Sequence, residues 1–214
     1  MSDITNIKCI RFIGPNECPH IIIDMDEVVA DTLPPIMEKL NAIDGTNVPD
    51  EAITNYDFTN FFNVTHDGIH KLFLEHNILE NLDPLPGAID ALQRIRKLGY
   101  KIHIVTARAW HPQAVAITME WLDRNGGIYD SVSVSMGRAQ TKSDVYKYVS
   151  DRFAYIVDDG LHNITDAIDS EIVDEVVVIA APWNASTDTF SDKTVNSLAE
   201  FATFLEHGVN LNGD

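Results

Sequence analysis

The sequence predicts an α/β protein built on a doubly wound parallel sheet, and three observations carry that expectation. Short strand-like runs recur at residues 21–23, 101–105 and 153–157, and the first is too brief for a helix and too uniformly apolar for a strand wetted on one face. Stretches with helical spacing of apolar residues separate them, the alternation of parallel strands with crossover helices. Each run also empties into a polar residue: Ile21-Ile22-Ile23 into Asp24, His103-Ile104-Val105 into Thr106, Tyr155-Ile156-Val157 into Asp158. Ligands of open parallel sheets bind beyond the carboxyl ends of the strands, so these three ends mark the expected site.

Residues 7–13 alternate as an edge strand or hairpin arm would, before the turn signal Gly14-Pro15-Asn16, and no chemistry is assigned to them. After the isoleucine run, residues 32–41 read as a helix whose first turn tolerates Pro34 and Pro35. Residues 42–83 hold no buried-strand run and are rich in Asn, Asp, His and Phe. Residues 32–83 are therefore expected to form a small helical cap inserted after the first core strand, with 1–31 and 84–214 as the core. Pro86-Gly87 introduces a helix at 88–98, with Ile89, Leu92, Ile95 and Leu98 as its apolar side and Gly99 as its stop. A strand at 101–105, a helix at 112–124 closed by Asn125-Gly126-Gly127, a short strand at 129–134 and a helix at 142–150 follow. The strand at 153–157, a helix at 161–170, a strand at 175–181, the loop Pro182-Trp183-Asn184 and an amphipathic helix at 195–205 complete the chain.

Fifteen Lys and Arg against 33 Asp and Glu give a formal charge of −18, which repels the phosphate backbone of long nucleic acids. A small phosphorylated ligand stays open, because a few cations or a bound metal in one cleft reverse the local field. No apolar run approaches the length that spans a bilayer, and residues 1–8 lack the basic and apolar regions of a secretory signal, so a cytosolic chain is expected. Cys9 and Cys18 then read as free thiols, without partners at zinc spacing.

Parallel neighbours bring Asp24, Thr106 and Asp158 together, and Asp26 and Asp159 lie beside them in sequence. Like-charge repulsion disfavours such a cluster unless a cation sits in it. An oxygen-only donor set with few protein ligands suits Mg²⁺, which keeps waters and bridges to phosphate, better than zinc or a full calcium cage.

Asp24-Met25-Asp26-Glu27-Val28 resembles the Asp-x-Asp-x-(Thr/Val) signature of haloacid dehalogenase (HAD) superfamily phosphotransferases. Thr106, Lys142 and the pair Asp158-Asp159 supply the superfamily's other three motifs in order. The insertion after the first motif, Val105-Thr106-Ala107-Arg108, and Ala181-Pro182-Trp183-Asn184 resemble the 5′(3′)-deoxyribonucleotidases. Glu27 stands where many members carry Gly, and Thr-Ala-Arg replaces the Thr-Ser-Pro of the animal enzymes. The resemblance implies a Rossmann-like, HAD-like core and a Mg²⁺-dependent phosphomonoesterase acting through an aspartyl-phosphate. In it Asp24 is the nucleophile and Asp26 the general acid and base. Thr106, Ala107, Lys142 and Arg108 bind phosphate, and the metal is held by Asp24, Asp26 through its backbone carbonyl, Asp158 and Asp159. The implied partner is a small phosphate ester, in the first instance a deoxynucleotide, with no membrane and no long nucleic acid; a homodimer is allowed.

Plainer readings stand beside these. A phosphatase for another phosphate ester or for a nucleic-acid 3′ end fits the same motifs, as does a silent metal-binding domain. Thr106 alone fits a helix cap, Lys142 a solvated helix start, and Asp159 a turn before Gly160. Arg138 competes with Arg108 for phosphate. His66 and His70, four residues apart, share a helix face as a metal pair would, but no third ligand is evident. Phe58, Phe61, Phe62 and Trp110 are candidates for stacking on a base or for the core of the cap.

Overall fold

A computed structural model describes residues 18–136, 140–185 and 188–208. The segment at 7–13, Cys9 and Arg138 lie outside the described residues; Cys18 is an exposed free thiol. Strand β1 (His20–Ile23) carries the isoleucine run and is hydrogen-bonded on both sides, to β4 (Lys101–Thr106) and to β6 (Phe153–Asp158), both parallel. With β5 (Ser131–Val134), β7 (Val173–Ile179) and β8 (Thr194–Val195) the sheet runs β5-β4-β1-β6-β7-β8, every pairing parallel. Chain order therefore reverses direction at β1, and the gap between the ends of β1 and β6 is the switch point where such sheets bind ligands.

Alternation along β1 sorts the core into two faces. Ile21 and Ile23 pack with α3 (Ala88–Lys97), α4 (Ala114–Arg124) and α7 (Leu198–Gly208), through Leu92, Ile95, Trp121 and Phe201. Ile22 faces the other way, toward α5 (Lys142–Tyr146) and α6 (Leu161–Asp169), with Tyr146, Ile156 and Ile164 around it.

Between β1 and α3 the chain forms β2 (Ala30–Asp31), α1 (Leu33–Asp44), two 3₁₀ turns, α2 (His66–Glu75) and β3 (Asp83–Pro84). None of these joins the main sheet. Instead β2 and β3 pair antiparallel, tying the departure of this segment to its return.

Three expectations change and one element is added. Helix α3 buries Ala88, Ala91, Leu92 and Ile95 while Leu98 is exposed, because steps of three residues lag a 3.6-residue turn and drift off the buried stripe. The helix expected at 142–150 is regular only to Tyr146, after which Tyr148 and Val149 donate to Val145 and Tyr146 in the tighter i→i−3 pattern. Val195 sits not in a helix but in β8, buried beside Ile179, where a β-branched side chain fits the pleat. The β2–β3 ribbon is additional; two-residue strands leave no periodicity to read.

Candidate active site

The site begins where β1 ends. The Asp24 N–H still donates to the Val157 carbonyl at 2.9 Å, so Asp24 is held in sheet register. The chain then turns sharply: Val29 and Ala30 both donate to the Met25 carbonyl, Met25 is buried, and Glu27 sits at a left-handed φ of 57°. In a continuing strand residues two apart share a face, and with the turn in place Asp24 and Asp26 still line one cavity. A left-handed backbone suits Gly better than Glu. Glu27 compensates by accepting from the N–H groups of Thr32 and Leu33 at 2.7 and 2.6 Å, the open end of α1. Burial raises its pKa to about 7, against the pull of those two N–H groups.

Lys142, the first residue of α5, is no solvated helix start. It is 2% exposed, and its Nζ lies 2.6 Å from Asp24 Oδ2 and 2.7 Å from Asp158 Oδ2. The other oxygen of Asp158 accepts from the Gly160 N–H at 2.8 Å and Asn163 Nδ2 at 2.9 Å. Oxygens of Asp24, Asp158 and Asp159 lie within 4.8 Å of one another, the only such group of three metal-ligating side chains among the described residues. Burial raises Asp24 to a pKa of about 7, and the charges of Asp158 and Asp26 add to the rise while Lys142 opposes it. Asp159 is likewise pushed well above the ordinary carboxylate range, by burial and then by Asp158 and Asp24. These carboxylates thus carry the mutual repulsion that a cation relieves.

The Asp26 side chain stands apart from that trio. Arg108 grips it with Nε on Oδ2 at 2.8 Å and Nη2 on Oδ1, while Thr32 Oγ1 donates to Oδ1 at 2.6 Å and Thr106 Oγ1 to Oδ2 at 3.3 Å. Burial works against ionisation of Asp26, but Arg108 and Thr32 outweigh it and hold the carboxyl below its usual range. The Asp26 carboxylate is not among the clustered metal-type oxygens, in keeping with an expected contact through its backbone carbonyl instead. Arg108, expected at the phosphate, is 2% exposed and bonds Asp26 through its fork and Thr118 through Nη1, at 3.2 Å.

Two cavities meet at Asp26, Thr32, Tyr56, Phe58 and Ala107. The first, about 560 Å³, holds Asp24, Thr106, Lys142 and Asp159. The second, about 570 Å³, is walled by His66, His70, Phe73 and Trp110, with His70 stacked flat on Trp110 at 4.4 Å between centroids. Phe58 and Trp110 therefore line open space. Phe61 and Phe62 do not line these cavities; Phe62 is core and Phe61 packs against it. His66 lies 3.7 Å from Asp57, and among the described residues neither His66 nor His70 belongs to a group of three metal-type side chains. Three contributors went unread in the sequence. Thr118 anchors Arg108, the Trp183 indole N–H donates to Asp159 Oδ2 at 2.9 Å, and Asn184 Nδ2 donates to the carbonyls of Asp159 and Ile179. Only the Trp183-Asn184 loop carried a signal, as part of the Ala-Pro-Trp-Asn stretch.

Comparison with known proteins agrees with this geometry. Residues 18–165 match the model of the family described as 5′ nucleotidase, deoxy (pyrimidine), cytosolic type C protein. The 5′(3′)-deoxyribonucleotidase of Bacillus subtilis (strain 168) is 25% identical over 146 residues, 67% of this chain and 77% of that enzyme. Among solved structures, a predicted phosphatase from Clostridium acetobutylicum superposes with a TM-score of 0.66 at 14% identity, covering 88% of this chain and 98% of that one. YfnB of Bacillus subtilis, solved bound to magnesium, gives 0.59 at 14% identity, covering 89% and 99%. The HAD-like fold, the motif residues gathered at its switch point and the match over residues 18–165 together make this chain a member of the 5′ nucleotidase, deoxy (pyrimidine), cytosolic type C family of phosphoric monoester hydrolases.

Proposed function

We propose that this chain is a Mg²⁺-dependent phosphomonoesterase that dephosphorylates deoxyribonucleoside monophosphates through an aspartyl-phosphate on Asp24. The observation that carries the reading is the buried Asp24–Lys142–Asp158 bridge at the end of β1, with Asp26 turned into the same cavity. Lys142 brings one positive charge to three clustered carboxylates, and an all-oxygen donor set is what a hard divalent cation takes, so the residues fit Mg²⁺. Asp24, Asp158 and Asp159 would hold it, with the Asp26 carbonyl. When bound it supplies the charge that lets an anionic nucleophile approach an anionic phosphate.

Asp24 attacks phosphorus as the ester P–O bond breaks, and Asp26 gives a proton to the leaving oxygen. Asp26 then takes a proton from the water that hydrolyses the aspartyl-phosphate. Arg108 keeps Asp26 ionised at rest; the negative charge of an arriving phosphate pushes it toward the protonated form that the first step needs. The Thr106 hydroxyl and Ala107 N–H donate to phosphate oxygens, and Lys142 offsets charge gathering on them. Residues 32–83 act as the cap over both cavities, supplying Tyr56, Phe58 and His70, so the leaving group is bound between cap and core. No helix among the described residues is long and apolar enough to cross a membrane.

Phosphate release from a panel of nucleoside 5′- and 3′-monophosphates, with and without Mg²⁺, tests this. Asp24→Asn should abolish turnover, and Thr106→Ala should lower kcat by about 100-fold, the usual cost of one lost transition-state donor. Equal rates on all sugar phosphates would remove the nucleotide assignment. Absence of any phosphate release would leave a silent domain.

A further inference from the structure

We infer that Arg108, anchored at its far side by Thr118, is the positioning residue that aims Asp26 at the leaving group. The inference rests on the reading of Asp26 as the general acid. Asp26 lies past the strand end, in a turn made without regular pairing, and its side chain is about one-third exposed, so the backbone alone fixes it poorly. Arg108 removes that freedom. A planar fork bonded to both carboxylate oxygens fixes distance and plane together, which a single ammonium cannot do.

The guanidinium is itself held. Thr118 is fully buried in α4, ten residues along, and accepts from Arg108 Nη1 at 3.2 Å. Three separate parts of the fold thus converge on one carboxylate: the β1 turn, the loop after β4, and α4. An arginine meant to clamp phosphate would present free donors to the cavity holding Asp24 and Lys142. Arg108 does not line that cavity and reaches only the second, whereas Asp26 lines both.

Leaving-group dependence separates this role from others. A sugar alkoxide needs a proton as it departs; nitrophenolate is a stable anion and does not. Compare kcat/KM, which reports the step in which the leaving group departs, for a deoxyribonucleoside 5′-monophosphate and p-nitrophenyl phosphate in wild type, Arg108→Ala, Arg108→Lys and Thr118→Val. For Arg108→Ala we expect a loss of about 100-fold on the nucleotide, the usual worth of a placed acid, and under about 10-fold on the nitrophenyl ester. Arg108→Lys should restore only part of the difference, and Thr118→Val should show the same bias at smaller size. The inhibition constant for inorganic phosphate should stay within about 3-fold of wild type, because phosphate donors are untouched.

Equal losses on both substrates, or weakened phosphate inhibition, would overturn the inference in favour of a structural or phosphate-clamping arginine. Should Arg108→Ala not fold, Thr118→Val decides, and a leaving-group bias identical to wild type there overturns it. Wild type inactive on both esters would instead defeat the phosphatase reading itself, so the two failures are distinguishable.

Discussion

Asp159 owes its orientation to side chains delivered from beyond β7. Trp183 donates to its Oδ2 and Asn184 to its backbone carbonyl, while Asn184 Oδ1 accepts from the Ala181 N–H at 2.9 Å, closing the loop on itself. The indole bond holds the Asp159 carboxylate through Oδ2. Partners that orient metal-binding carboxylates are worth about 10- to 100-fold in affinity. Trp183→Phe keeps the ring and deletes the donor, so we expect Mg²⁺ to bind about 10-fold more weakly, read by calorimetric titration, with the metal-free melting temperature little changed. Unchanged affinity would mean that Asp159 does not touch the ion. The same scale shows what a sequence conceals. Asp24, Thr106, Lys142 and Asp158 were legible because strand ends and motif order announce them. The Arg108–Asp26 fork was not, since a bond across 82 positions leaves no periodic trace, and a buried arginine looks like a solvated one until its partner is known.

The turn from Met25 to Asp31 and the start of α1 form one unit, and Glu27 is its joint. Thr32 occupies the N-cap of α1 yet makes no side-chain cap bond, because its hydroxyl donates to Asp26. Glu27 takes over the capping, at the cost of a left-handed backbone. Pro34 and Pro35 announced a helix start here, but nothing local announced a cap drawn from five residues upstream. Glu27→Gly sets two effects against each other: relief of backbone strain worth about 1 kcal/mol, and loss of a cap of similar worth together with N–H groups left unpaired at about 1–3 kcal/mol. The second wins, so urea unfolding should find Glu27→Gly less stable than wild type by about 1–2 kcal/mol. Glu27→Gln, which keeps an acceptor, should fall between them. A Glu27→Gly protein more stable than wild type would show that strain, not capping, dominates the turn.

Across the whole molecule, pH acts on stability at the end of the sheet remote from the strand tips that carry the chemistry. His20 and His103, on neighbouring strands, stack with centroids 5.0 Å apart, and a hydrogen-bonded chain runs from His20 Nδ1 to His103 Nε2 at 3.0 Å and from His103 Nδ1 to Ser131 Oγ at 2.8 Å. Neutral rings satisfy this chain, each link having one proton. With both rings protonated, two N–H groups would face each other at the His20–His103 link. Burial first, and the proximity of His20 second, push His103 down to a pKa of about 4 from 6.5. The unfolded chain, with an ordinary histidine, then binds more protons than the folded one between those values. The stabilising contribution is therefore complete above about pH 6.5 and is lost as pH falls toward about 4. His103→Gln removes the titration and takes no part in the chemistry, so its stability should fall less steeply than that of wild type across this window, while turnover at pH 7 is unchanged. Parallel curves for the two proteins would show that carboxylates elsewhere, among the 33 that give this chain its charge, set its acid sensitivity instead.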